Sequence, residues 1–104
     1  MKLELRVSEE AAVEMAEAAR WYEQHRRGLG GEFLTEIDEA LVRLEGSPGV
    51  GTSVPGVEDA DVRRVFVRRF PYHVVYLELP DRLQILAVAH DRRRPGYWVG
   101  RLPT

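Results

Sequence analysis

The chain contains no cysteine, which excludes a disulfide scaffold and any thiolate-ligated metal. Its three histidines (His25, His73 and His90) are far apart and follow no ligand spacing, so neither a structural metal nor any cofactor is expected. No stretch is apolar for long enough to span a bilayer, which argues against a membrane partner. The opening MKLELRV alternates apolar and charged residues and lacks the continuous apolar segment of a secretory signal, so a cytoplasmic location is expected. Three catalytic signatures are also missing: the Gly-x-Ser-x-Gly elbow, a phosphate loop ending in Lys-Ser/Thr, and His-Glu-x-x-His.

What remains is the composition of a globular protein. The 104 residues are 44% hydrophobic and 31% charged, enough for one domain over 1–104 with a modest core. Formal net charge is only −2, but it is unevenly spread. Residues 1–60 carry thirteen acidic and six basic side chains; residues 61–104 carry four and nine. A local basic face can attract an anionic partner even on an acidic protein.

The hydrophobic pattern orders the chain. Leu3, Leu5 and Val7 alternate with charged residues, as in a half-buried strand. Ser8 is placed as an N-cap, with Glu9 and Glu10 in the first turn of a helix running to about Arg27. Ala12, Met15, Ala16, Ala19 and Tyr22 recur along it at helical spacing. GLGG at 28–31 breaks that helix. A second follows, with Phe33, Leu34, Ile37, Leu41 and Leu44 on one stripe, and stops at Gly46 before Pro48. Residues 46–60 read as a loop. Three strands are then predicted: about Val62 to Arg69, Tyr72 to Leu79, and Leu83 to His90. The connections between them are short enough for antiparallel neighbours. The expected fold is therefore α+β: an N-terminal strand, an αα-hairpin, then three antiparallel strands (β-α-α-β-β-β). The helices pack on one face of an antiparallel sheet.

The basic residues carry the chemistry. Arg63 and Arg64 open the second strand, Arg68 and Arg69 close it, and Arg92, Arg93 and Arg94 follow the last one. Period two places Arg64 and Arg68 on one face with Val62, Phe66 and Phe70, and Arg63 and Arg69 on the other with Val65 and Val67. The same period puts His90 on the side of Leu86 and Val88. Arginine suits phosphates and carboxylates because its planar fork binds bidentately and is always charged. A solvated surface would also look like this, and Tyr97 and Trp98 could stack on bases or simply close the core.

Taken together, RRVFVRRFPYHVVYLEL at 63–79, ILAVAHDRRRPGYW at 85–98 and the GLGGEF junction at 28–33 resemble the ParE/RelE superfamily of type II toxins, most closely its ParE (plasmid-stabilisation) branch. The matching residues are Phe70, Pro71, Tyr72, Val74 and Tyr76 in one strand, then His90, Arg92 to Arg94, Pro95, Tyr97 and Trp98. The resemblance spans nearly the whole chain. It implies a toxin that inhibits DNA gyrase or another topoisomerase, itself non-enzymatic. A cognate antitoxin would neutralise it in a hetero-oligomer and would alone contact operator DNA. On this reading Arg63, Arg64, Arg68, Arg69, Arg92, Arg93, Arg94, Tyr97 and Trp98 form the target surface. Ala12, Met15, Tyr22, Phe33, Ile37 and Leu41 contribute to the antitoxin-binding surface. A RelE-like ribosome-dependent mRNA endonuclease is the alternative, with Arg68, His73, His90, Arg94 and Tyr97 as its catalytic set. That set is incomplete: the lysines usual in such proteins are absent, since Lys2 is the only one in the chain. A third reading is a non-toxic partner serving antitoxin binding and autoregulation.

Overall fold

The computed structural model describes residues 3–57 and 62–103. The chain begins with β1 (Glu4–Val7) and a helical hairpin of α1 (Glu9–His25) and α2 (Leu29–Gly46). A 3-10 turn at Pro48–Val50 leads to β2 (Thr52–Ser53), followed by β3 (Val62–Phe66), β4 (Tyr72–Glu78) and β5 (Arg82–His90). A last 3-10 turn, Val99–Arg101, closes the tail. No helix among the described residues is long and apolar enough to cross a membrane.

Local chemistry explains the hairpin. The Ser8 hydroxyl caps α1, accepting from the Ala11 N–H at 3.1 Å. The expected break over 28–31 is narrower in the structure: Gly28, at φ 91°, is the hinge, and Leu29 already begins α2. The Glu23 carboxylate accepts from the N–H groups of Gly28 (2.9 Å) and Gly30 (3.0 Å), so α1 itself caps the start of α2. Gly30 is needed for a second reason. A Cβ there would lie 2.5 Å from the Ala19 carbonyl oxygen, so only glycine lets the helices approach this closely.

The sheet order is β1-β5-β4-β3-β2, and it departs from the expected arrangement in three ways. β1 pairs parallel to β5, so the five-stranded sheet is mixed rather than antiparallel. Short turns dictate antiparallel pairing for β3, β4 and β5, but nothing local governs strands separated by most of the chain. The expected loop also contains β2, whose two residues pair with Arg63 and Arg64. Finally, β3 ends at Phe66 instead of Arg69. Arg69 takes φ 70°, and Val67 N–H already bonds across the turn to the Tyr72 carbonyl at 2.9 Å.

A bulge beside Val75/Tyr76 also resets the faces of β5. Ile85 and Val88 both face the helices, while Leu86 joins the opposite face, contrary to strict period two. Two cores result. Phe33, Ile37, Leu44, Val74, Tyr76 and Ile85 fill the space between helices and sheet. On the other face Val54, Val62, Val75, Leu77 and Leu86 surround Trp98, which is 1% exposed. The C-terminal tail is thus a third layer, covering the sheet face that the helices leave open.

Candidate functional site at the basic end of the sheet

Strand register brings the basic segments together. Phe66 lies opposite His73, His73 opposite Ala89, and Tyr72 opposite His90, so β3, β4 and β5 share one end. The turn carrying Arg68 and Arg69 and the turn carrying Arg92 to Arg94 both leave the sheet there. The Asp91 N–H ties them, donating to the Pro71 carbonyl at 2.8 Å. The second turn is shaped by its backbone. Arg93 N–H donates to the His90 carbonyl (2.9 Å) and Arg92 N–H to His90 Nδ1 (3.1 Å).

The seven arginines have different surroundings. Arg63 donates to the Gly51 carbonyl at 3.1 Å and fastens the loop over β3. Arg64 sits over the exposed Phe66 ring, 5.1 Å from its centroid. Arg68 pairs with Glu39 of α2. Arg69 pairs with Glu32 at 2.7 Å, with Glu36 3.6 Å away. These last pairs brace the β3–β4 turn against α2 and hold Arg69 in its left-handed conformation. The Arg69 hydrogen bond also lowers the pKa of Glu32 below the ordinary carboxylate value. Arg92 and Arg94, both exposed, make no ion pair among the described residues. Arg93 lies flat on Tyr97, 3.9 Å from the ring centroid. Among the described residues, Arg64 and the three arginines of the basic turn make no ion pair, and Arg92 and Arg94 are the two of these that stack on no aromatic ring.

Of the candidate acid–base groups, His73 and Tyr97 are held by carboxylates, and His90 is engaged through Nδ1 alone. His73 is buried, and its Nδ1–H donates to Asp91 at 2.9 Å. His90 Nδ1 accepts from Arg92, so a neutral ring carries its proton on Nε2. The Tyr97 hydroxyl donates to Glu14 at 2.6 Å, and burial together with that bond raises its pKa well above the ordinary phenol value. Trp98 is sealed in the second core and presents no surface. No cluster of three or more His, Asp or Glu side chains among the described residues could hold a metal.

The hairpin residues divide in the same way. Phe33 and Ile37 are fully buried, so they shape the hairpin from inside instead of lining its surface. Met15, Tyr22 and Leu41 pack partly against the core, and Ala12 is exposed. Large apolar side chains that do reach solvent are Val13, Trp21, Leu34 and Val42. An open groove of about 500 Å³ runs between α1 and the basic end, with Trp21, Tyr22, Tyr72, His90, Arg93 and Tyr97 on its walls. Sequence reasoning missed Glu14, Trp21 and Arg101. Glu14 had a signal: it falls between Ala11 and Ala18 on the buried stripe of α1, where a charge needs partners.

The described elements define a class first, an α+β domain with a helical hairpin on a mixed sheet that ends in a basic turn. Within it, the chain belongs to the ParE toxin family of type II toxin–antitoxin systems, parDE, whose family model matches residues 5–95. Membership makes it a ParE-type toxin and implies an antitoxin partner. A solved chain of the chromosomal ParDE toxin–antitoxin system from P. aeruginosa shares the fold, with a TM-score of 0.73 and 19% identity. The match covers 86% of this chain and 96% of that one. None of the curated proteins matches.

Proposed function

We propose that this toxin acts by binding, with DNA gyrase or a related topoisomerase as its target, and that the arginine turn at 92–94 makes the contact. The observation that carries this reading is the contrast at the basic end. Arg92 and Arg94 have no ion-pair partner among the described residues, whereas His73, Tyr97 and the 68–69 pair are each held by a carboxylate. A phosphodiester-cleaving site needs a base and an acid free to exchange protons with substrate. A phenol with a raised pKa that donates to Glu14 is poorly suited to either role. A binding site needs only exposed donors at a fixed position.

In this proposal the antitoxin covers the apolar side chains of the hairpin and the groove beside α1. The complex forms in the cytoplasm, and operator DNA is reached only through the antitoxin. Expressing the chain without its antitoxin, and following plasmid supercoiling and transcript integrity in the same cells, tests the reading. Gyrase cleavage complexes or relaxed plasmid with intact transcripts are expected. Codon-linked transcript cuts would mean the RelE-like activity, and unimpaired growth would mean a partner kept for antitoxin binding and autoregulation.

A further inference from the structure

We propose that Glu14 is a positioning residue for the arginine turn, fixing the Arg93 guanidinium at the mouth of the groove through the Tyr97 ring. The inference rests on the reading of that turn as the target contact.

The geometry begins with β1. It ends at Val7, opposite Ile85, so the outer edge of β5 beyond that point has no strand partner. Side chains take over. The Leu86 carbonyl accepts from the Ser8 hydroxyl (3.3 Å) and from Arg101 (3.0 Å), and the Val88 N–H donates to Glu14 Oε1 (3.1 Å). Glu14 Oε1 also receives Arg101 at 2.8 Å. Its Oε2 receives Arg101 at 3.2 Å and the Tyr97 hydroxyl at 2.6 Å. One carboxylate from α1 therefore joins the sheet edge to two points of the tail. Its side chain is 18% exposed, and its donors compensate the desolvation.

The consequence falls on Arg93. It has no ion pair among the described residues, and its guanidinium is held by the Tyr97 face at 3.9 Å. The hydroxyl of that ring is pinned to Glu14, so the ring cannot swing without breaking the bond. An apolar side chain at position 14 would leave Tyr97 unanchored, and with it the Val88 N–H and Arg101.

The test uses Glu14→Gln and Tyr97→Phe in the full chain, with two readouts. The first is the ring-current shift of the Arg93 Nε–H proton in NMR spectra, which a general loss of stability in a folded sample does not move. The second is inhibition of supercoiling by purified gyrase. In both variants the Arg93 signal is expected to lose its upfield displacement, and the concentration for half-inhibition to rise about tenfold, the loss of one good contact. Should Glu14→Gln fail to fold, Tyr97→Phe, which removes one oxygen, carries the test. An unchanged Arg93 signal overturns the proposal, as does a lost signal with unchanged potency. If the unaltered chain leaves gyrase untouched, the gyrase reading fails by itself, and growth arrest on expression replaces inhibition as the second readout.

Discussion

Trp98→Ala puts the layered arrangement of the tail to a quantitative test. The indole is 1% exposed and packs among Val54, Val62, Val75, Leu77, Leu86 and Ala87 on the sheet face away from the helices. Truncating a buried tryptophan loses its transfer free energy and leaves a cavity, together about 3–5 kcal/mol. Domains of this size are stable by about 5–15 kcal/mol, so the loss takes a large share of the total. At about 4 °C per kcal/mol, the midpoint of thermal unfolding should fall by on the order of 12–20 °C. Far-ultraviolet circular dichroism through a urea titration and a thermal melt measures this without relying on tryptophan emission. Trp98→Phe keeps an aromatic ring in place and is expected to cost a smaller part of that amount. The tail also carries Tyr97 and follows the arginine turn, so Trp98→Ala should weaken toxicity while every arginine is intact. A loss below about 0.5 kcal/mol, the range of surface substitutions, would refute the tail as a packed third layer.

Three further outcomes follow from the same packing. All four tyrosines have phenol pKa values raised above the ordinary 10.0, mainly by burial. The unfolded chain therefore releases these protons first, and stability should fall as pH rises above about 10, by up to about 1.4 kcal/mol per pH unit for each group. Urea titrations between pH 9 and 11 measure the slope, which Tyr97→Phe should make shallower; a flat profile would contradict the burial of these rings. Tyr76 donates to the Pro48 carbonyl at 2.6 Å and accepts from the Gly51 N–H at 2.9 Å. Tyr76→Phe should cost about 1–3 kcal/mol in chemical denaturation, because two backbone groups lose their partner. Gly30→Ala, whose new Cβ would meet the Ala19 carbonyl at 2.5 Å, should lower the melting temperature despite the better helix propensity of alanine, by the equivalent of about 1–3 kcal/mol of overpacking.

The elements were legible wherever the signal is local. Ser8 before Glu9 and Glu10 marks the start of α1, and the Pro71 and Pro80-Asp81 breaks mark β4 and β5 to within a residue. The parallel pairing of β1 with β5 was not legible, because it joins segments with no turn between them to encode it. Nor was the bulge that turns Leu86 away from Val88, since one extra residue leaves the apolar run unbroken. In the site, the arginines were found by their number and their roles were not. Arg68 and Arg69 look like Arg92 and Arg94 in sequence. Only the fold sets the first pair opposite the α2 carboxylates Glu39, Glu32 and Glu36. Tyr97 and Trp98 are adjacent, yet one lines the groove and the other fills a core. Glu14 was hidden among the other glutamates of α1, although its position on the buried stripe marked it.

The proposed role of the arginine turn is that of a contact surface rather than part of a cleavage site. The most direct measurement compares the unaltered chain with an Arg92→Ala, Arg94→Ala double variant in supercoiling by purified gyrase, beside circular dichroism of both proteins. Both side chains are exposed and make no ion pair among the described residues, so the fold and its melting temperature should be unchanged. The unaltered chain should inhibit supercoiling and the double variant should not. Equal inhibition by the two proteins would contradict the account and return the turn to a solvated surface.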